Sequence, residues 1–164
     1  MEKKLYTWKL YPGSNGIPEL LNLHPEPKTL DEGTRLLPLG GYTTLRTYNQ
    51  NQGILINNHF RRLEETAELV GKPLIIDRSQ VLLALRLVIA KFPSKEKRIR
   101  IIIDLEKEPG TIYLLMEELI TPDADDYRLG VKVVTRKIQR QNPKAKLTNF
   151  IDKASKIRQG IFPE

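Results

Sequence analysis

The order of apolar and polar positions divides the chain into stretches with a period of two and stretches with helical spacing. Leu5–Leu10 alternates and predicts a first strand, closed by the turn residues Pro12-Gly13 and Asn15-Gly16. A short second strand is predicted at Glu19–Leu23, and His24–Gly33, with Pro25 and Pro27, reads as loop. In the run from Arg35 to Tyr48, Tyr42–Tyr48 is rich in strand formers. Just before it, Gly40-Gly41 permits a bend or a close approach of backbones. Asn49–Gly53 reads as a turn and Ile54-Leu55-Ile56 as the returning strand of a hairpin. Arg98–Leu105 and Thr111–Leu119 predict a second antiparallel hairpin, joined by Glu106–Gly110.

Two helices interrupt the strands. Asn57 or Asn58 is a good cap for a helix through Val70, which Gly71 and Pro73 end. Phe60, Leu63, Ala67 and Val70 fall on one face, while His59, Arg62 and Thr66 form a polar face that reads as the solvent side. Asp77, with Gln80 three residues on, caps a second helix over Val81–Ala90, whose broad apolar surface predicts packing on a sheet. The acidic run Thr121–Asp126 reads as a linker, Gly130–Thr135 as a strand with no evident partner, and about Thr148–Gln159 as a last helix. The predicted class is α+β: a small antiparallel sheet packed with two helices over residues 1–120, a linker over 121–128, and the opening strand and helix of an incomplete second domain over 129–164.

The composition is that of a globular chain, with 40% hydrophobic and 29% charged residues in 164. No apolar run reaches the roughly 18 residues of a membrane span, and no signal-peptide h-region follows Met1. Without cysteine there are no disulfides or thiolate metal sites, which is compatible with a cytoplasmic location, and two histidines do not suggest a metal centre. The net charge of +7 resides entirely after residue 128, where nine basic residues face two acidic ones. Such a patch could bind a phosphodiester backbone, which keeps a non-catalytic nucleic-acid-binding module as an alternative, but few aromatics accompany it for base stacking.

The candidate chemistry lies in that basic stretch. Lys146 stands where a lysine-rich loop enters the last helix, crowded by Lys144 and Arg140 and facing the first-turn N–H groups. That setting disfavours the ammonium form and makes a lysine nucleophilic. The run Lys146-Leu147-Thr148-Asn149-Phe150, after Asn142-Pro143, resembles the Lys-x-x-Asn-Tyr segment that carries the Schiff-base lysine of class IV (fold type IV) pyridoxal-phosphate aminotransferases. His59-Phe60-Arg61-Arg62-Leu63, after the Tyr42–Asn49 strand, follows the same family's order.

The resemblance implies a small N-terminal α+β domain and the start of a cofactor-binding domain, with the chain an N-terminal part. It implies pyridoxal phosphate as cofactor, with Lys146 holding it and Arg62 contacting its phosphate. It also places Tyr42 on the wall of the substrate pocket, and Arg100 or Arg98 within reach of a substrate carboxylate. Phe150 departs from the family's tyrosine, whose hydroxyl bonds the cofactor's phenolic oxygen. The implied reaction is amine exchange between an amino acid and a 2-oxo acid in a homodimer. The alternative is pyruvate elimination of the aminodeoxychorismate lyase type.

Overall fold

A computed structural model of the chain describes residues 5–49, 51–135, 137 and 142–159. The elements are β1 (Leu5–Leu10), β2 (Glu19–Leu20), α1 (Leu30–Arg35), β3 (Gly40–Tyr48), β4 (Gln52–Gly53), α2 (Ile56–Leu69), α3 (Arg78–Lys91), β5 (Lys97–Asp104), β6 (Ile112–Glu118), α4 (Ala124–Leu129) and α5 (Asn149–Gln159). The strands form one antiparallel sheet in the order β2-β1-β6-β5-β3-β4, so the α+β class holds.

Strand alternation sorts the side chains between two faces. Trp8, Leu10, Ile99, Ile101, Ile103, Ile112, Leu114 and Met116 turn to one face, where α2 lays Phe60, Leu63 and Ala67 and α3 lays Val81, Ala84, Leu85 and Val88. This is the sheet-and-two-helix core that the apolar spacing predicts. Leu5, Tyr42, Ile102, Tyr113 and Leu115 turn to the other face, which Leu30 of α1 and Ile151 of α5 cover. Asp77 caps α3 as expected, its side chain accepting from the Gln80 N–H at 3.0 Å.

Several elements differ from the pattern. The stretch read as loop ends in α1, whose cap Thr29 accepts from Glu32 N at 3.2 Å while the Glu32 carboxylate takes Lys28 N at 2.7 Å. β2 stops at Leu20. Ile54-Leu55-Ile56 is not a strand: β4 is only Gln52–Gly53, Leu55 turns the chain with φ +53°, and α2 begins at Ile56 without a side-chain cap from either asparagine. The triplet has strand-forming composition, but no neighbouring strand pairs with it. The acidic run is not an open linker throughout, because Asp123 and Asp126 cap each other across the first turn of α4. Residues 131–135 carry no strand pairing, since a strand exists only against a partner and none of the described residues offers one.

Candidate functional site

The lysine segment is fixed to the free edge of β3 by backbone bonds. Tyr42 N–H donates to the Lys146 carbonyl at 2.9 Å, Thr148 N–H to the Gly40 carbonyl at 2.9 Å, and Gly40 N–H to Thr148 Oγ1 at 3.1 Å. Gly40 is required here: a Cβ on it would stand 2.2 Å from the Ile103 carbonyl oxygen. The close backbone approach expected at Gly40-Gly41 is thus made to β5, while the lysine segment joins the sheet through a bridge between Gly41 and Leu147.

Helix α2 meets the same segment. Thr66, read from the sequence as solvent-facing, is buried, its hydroxyl donating to the Arg62 carbonyl at 2.8 Å and accepting from Lys146 N–H at 3.3 Å. His59 Nδ1 lies 2.6 Å from Thr43 Oγ1. His59 and Thr66 of the polar face of α2 are thus turned toward β3 and the lysine segment, which the helical spacing alone could not tell from a solvent face. Burial, and then the charges of Lys146 and Arg62, hold the His59 pKa below the usual imidazole value.

Lys146 Nζ stands 4.9 Å from the centroid of the Tyr42 ring. In α5, the Phe150 and Ile151 N–H groups bond the Leu147 and Thr148 carbonyls, so these first-turn donors are already engaged. Arg140, expected to crowd Lys146, lies outside the described residues.

The two candidate arginines differ. Arg62 is exposed and lines a cleft of about 550 Å³ with His59, Arg46, Arg98, Ile54, Leu55 and others. Its guanidinium makes no hydrogen bond or ion pair among the described residues. Arg100 is buried, 4% exposed, and donates to Thr44, Thr34 and Asp31. Its partners are therefore internal, whereas Arg98 is half exposed, pairs with Glu117 at 3.1 Å and borders the cleft. The structure brings Tyr42, Arg100 and Lys146 together, with Arg62 and His59 alongside. Sequence reasoning missed Asp31, Thr66 and Thr148. Thr29 with Glu32 three residues on is a capping signal that could have revealed α1, and hence Asp31.

The family profile described as Amino-transferase class IV matches residues 40–155, the span from Gly40 through the lysine segment into α5. The chain belongs to the class IV aminotransferase family. Among solved structures it is similar to a candidate branched-chain amino acid aminotransferase from Thermotoga maritima, with a TM-score of 0.65 and 20% identity over 93% of this chain and 53% of that one. A candidate aminotransferase from Corynebacterium glutamicum aligns over 77% of this chain and 52% of its own, with 14% identity and a TM-score of 0.49. At 20% identity the first likeness is one of fold, and the chain spans about half the length of both structures. No curated protein matches the chain. Among the described residues, no helix is long and apolar enough to cross a membrane, and no cluster of metal-ligating side chains occurs.

Proposed function

We propose that this class IV chain serves pyridoxal-phosphate-dependent transamination between an amino acid and a 2-oxo acid, with Lys146 as the reactive amine. The observation that carries the reading is the pinning of the Lys146 backbone to β3 and α2, with Nζ beside Tyr42. A catalytic amine needs this kind of fixed origin, because a misplacement of about 1 Å costs on the order of a hundredfold in rate.

The residues fit a phosphate-bearing aromatic cofactor. Arg62 offers a forked cation with no partner among the described residues, beside a neutral-leaning His59 and the apolar walls Ile54 and Leu55. When bound, pyridoxal phosphate would supply an electron sink for bonds at the substrate α-carbon. Lys146 Nζ would hold the cofactor and would carry the substrate α-proton, as base and then as acid. Tyr42 supports that amine from one side of its ring. Arg98, on the cleft, is better exposed to a substrate carboxylate than Arg100, which would first have to leave Asp31. Phe150 cannot donate to the cofactor's phenolic oxygen, so another donor takes that role in this reading.

The test is borohydride reduction of the purified chain with pyridoxal phosphate, followed by peptide mass mapping. The expected result is one stable pyridoxyl adduct, at Lys146. Labelling scattered over many lysines, or label absent from Lys146, would defeat the reading. Release of pyruvate without amine transfer, assayed in the longer protein if this chain is part of one, would instead favour the lyase reaction.

A further inference from the structure

Two cations face one aromatic ring: the Arg100 guanidinium carbon is 5.1 Å and Lys146 Nζ 4.9 Å from the Tyr42 centroid. Arg100 is held in place by donating from Nε to Thr44 Oγ1 at 3.2 Å and from Nη1 to Thr34 Oγ1 at 2.8 Å. Nη1 also lies 2.9 Å from Asp31 Oδ1, and the arginine side chain is 5% exposed. An arginine remains charged at every accessible pH. Its influence on a neighbouring amine therefore depends on whether a carboxylate compensates it.

That carboxylate comes from the first turn of α1, a short helix that also touches the helix following Lys146. Arg35 Nε meets Asp152 Oδ1 of α5 at 2.7 Å, and Leu30 shares a buried cluster with Tyr42 and Ile151. The other charged and titratable groups on the elements around Lys146 include Tyr42, Arg46 and Tyr48 of β3, Lys144 of its own loop, Asp152, Lys153 and Lys156 of α5, and His59, Arg61, Arg62, Glu64, Glu65 and Glu68 of α2. On the Tyr42 side, Asp31 is the carboxylate that meets the Arg100 guanidinium, at 2.9 Å.

We propose that Asp31 is a positioning residue for Lys146: acting through Arg100, its carboxylate sets how readily the Lys146 ammonium releases its proton. Neutralising Asp31 leaves a buried guanidinium beside Tyr42 without its carboxylate, which disfavours a second cation there. Neutralising Arg100 instead leaves the carboxylate, which favours the ammonium. The two substitutions thus move the lysine in opposite directions. The proposal rests on Lys146 being the reactive amine, and it gives α1 a part in the chemistry as well as in packing.

The experiment is competitive acetylation of the purified chain with trace acetic anhydride from about pH 6 to about pH 11, with the midpoint of each lysine read by peptide mass spectrometry. Asp31→Asn is expected to lower the Lys146 midpoint by roughly half a unit to one unit, and Arg100→Gln to raise it by a similar amount. Asp31→Glu and Arg35→Gln should stay at the wild-type value, as should the exposed Lys107 in every variant. Midpoints that do not part, or that move the same way in Asp31→Asn and Arg100→Gln, overturn the proposal. If Asp31→Asn does not fold, the pair Arg100→Gln and Asp31→Asn/Arg100→Gln decides: the first must raise the midpoint and the second must return it to the wild-type value. Acetylation reads the amine without cofactor, so a pyridoxyl label away from Lys146 sinks the functional reading alone. Unmoved midpoints in a chain that labels at Lys146 sink the tuning alone.

Discussion

The surroundings of Arg100 and of Arg62 are opposites. Arg100 is buried on the Tyr42 face of the sheet, with a carboxylate and two hydroxyls as partners. Arg62 stands exposed on α2 at the mouth of a cleft, its guanidinium unbonded among the described residues. Buried charge persists in a fold only when compensated, whereas an exposed cation can wait in water for its ligand. The difference teaches that two arginines implicated by the same resemblance, Arg62 by its motif and Arg100 as an alternative to Arg98, stand in different physical settings. One belongs to the internal electrostatics of the lysine site, and the other is open to an incoming anion.

The sharpest way to break this comparison is to remove the amine between the two regions. Lys146→Ala should abolish the borohydride-stable pyridoxyl label, and a label persisting at the same stoichiometry on another residue would show that neither arginine serves this lysine. Next in size, Asp31→Asn should destabilise the chain by about 2 kcal/mol, less than a fully buried pair because the Asp31 side chain is 26% exposed. Asp31→Asn/Arg100→Met should recover most of that loss in urea denaturation; strict additivity would mean that the pair is not coupled.

At the cleft, Arg62→Ala should weaken binding of pyridoxal phosphate by about 2 kcal/mol, roughly thirtyfold, while binding of pyridoxal without phosphate stays the same. An equal loss for both ligands would remove the phosphate role. Thr148→Val leaves the buried Gly40 N–H without its acceptor and should cost about 1 kcal/mol in denaturation, with a slower pyridoxyl labelling of Lys146.

The smallest effect concerns His59. Its folded-state pKa is depressed, so the unfolded chain takes up a proton first as the pH falls. The stability it contributes is present above about pH 6.5, the unfolded value, and is lost below it, down through the folded pKa. His59→Gln should flatten the melting temperature across that window. A profile as steep as that of the unsubstituted chain would mean that another group carries the dependence.

Much of the sheet was legible because local pattern and tertiary need agree in it. Strand formers mark Leu5–Leu10, Tyr42–Tyr48, Arg98–Leu105 and Thr111–Leu119, the unbroken apolar runs Ile101–Ile103 and Ile112–Met116 report cover on both faces, and the apolar spacing of α2 and α3 reports the layer on one of them. The family was legible from a spaced pair of motifs, one around Arg62 and one around Lys146. Where local composition and partner disagree, the reading failed: Ile54-Leu55-Ile56 and Gly130–Thr135 have strand composition but no neighbouring strand, and Thr66 looked solvent-facing because polarity does not say what a helix face meets.

The sequence by itself determined the order and kind of the main elements, the glycine pair that admits a close backbone, and the identity of the candidate amine. Only the tertiary structure decided that Lys146 docks on residues as distant in sequence as Thr66 and Tyr42, that Thr148 closes on Gly40, and that Asp31 claims Arg100. Hydrophobic periodicity and capping act over a few residues and leave their mark in local order. These contacts join residues tens of positions apart, and their partners are chosen by which edges and charges the folded sheet leaves unmatched.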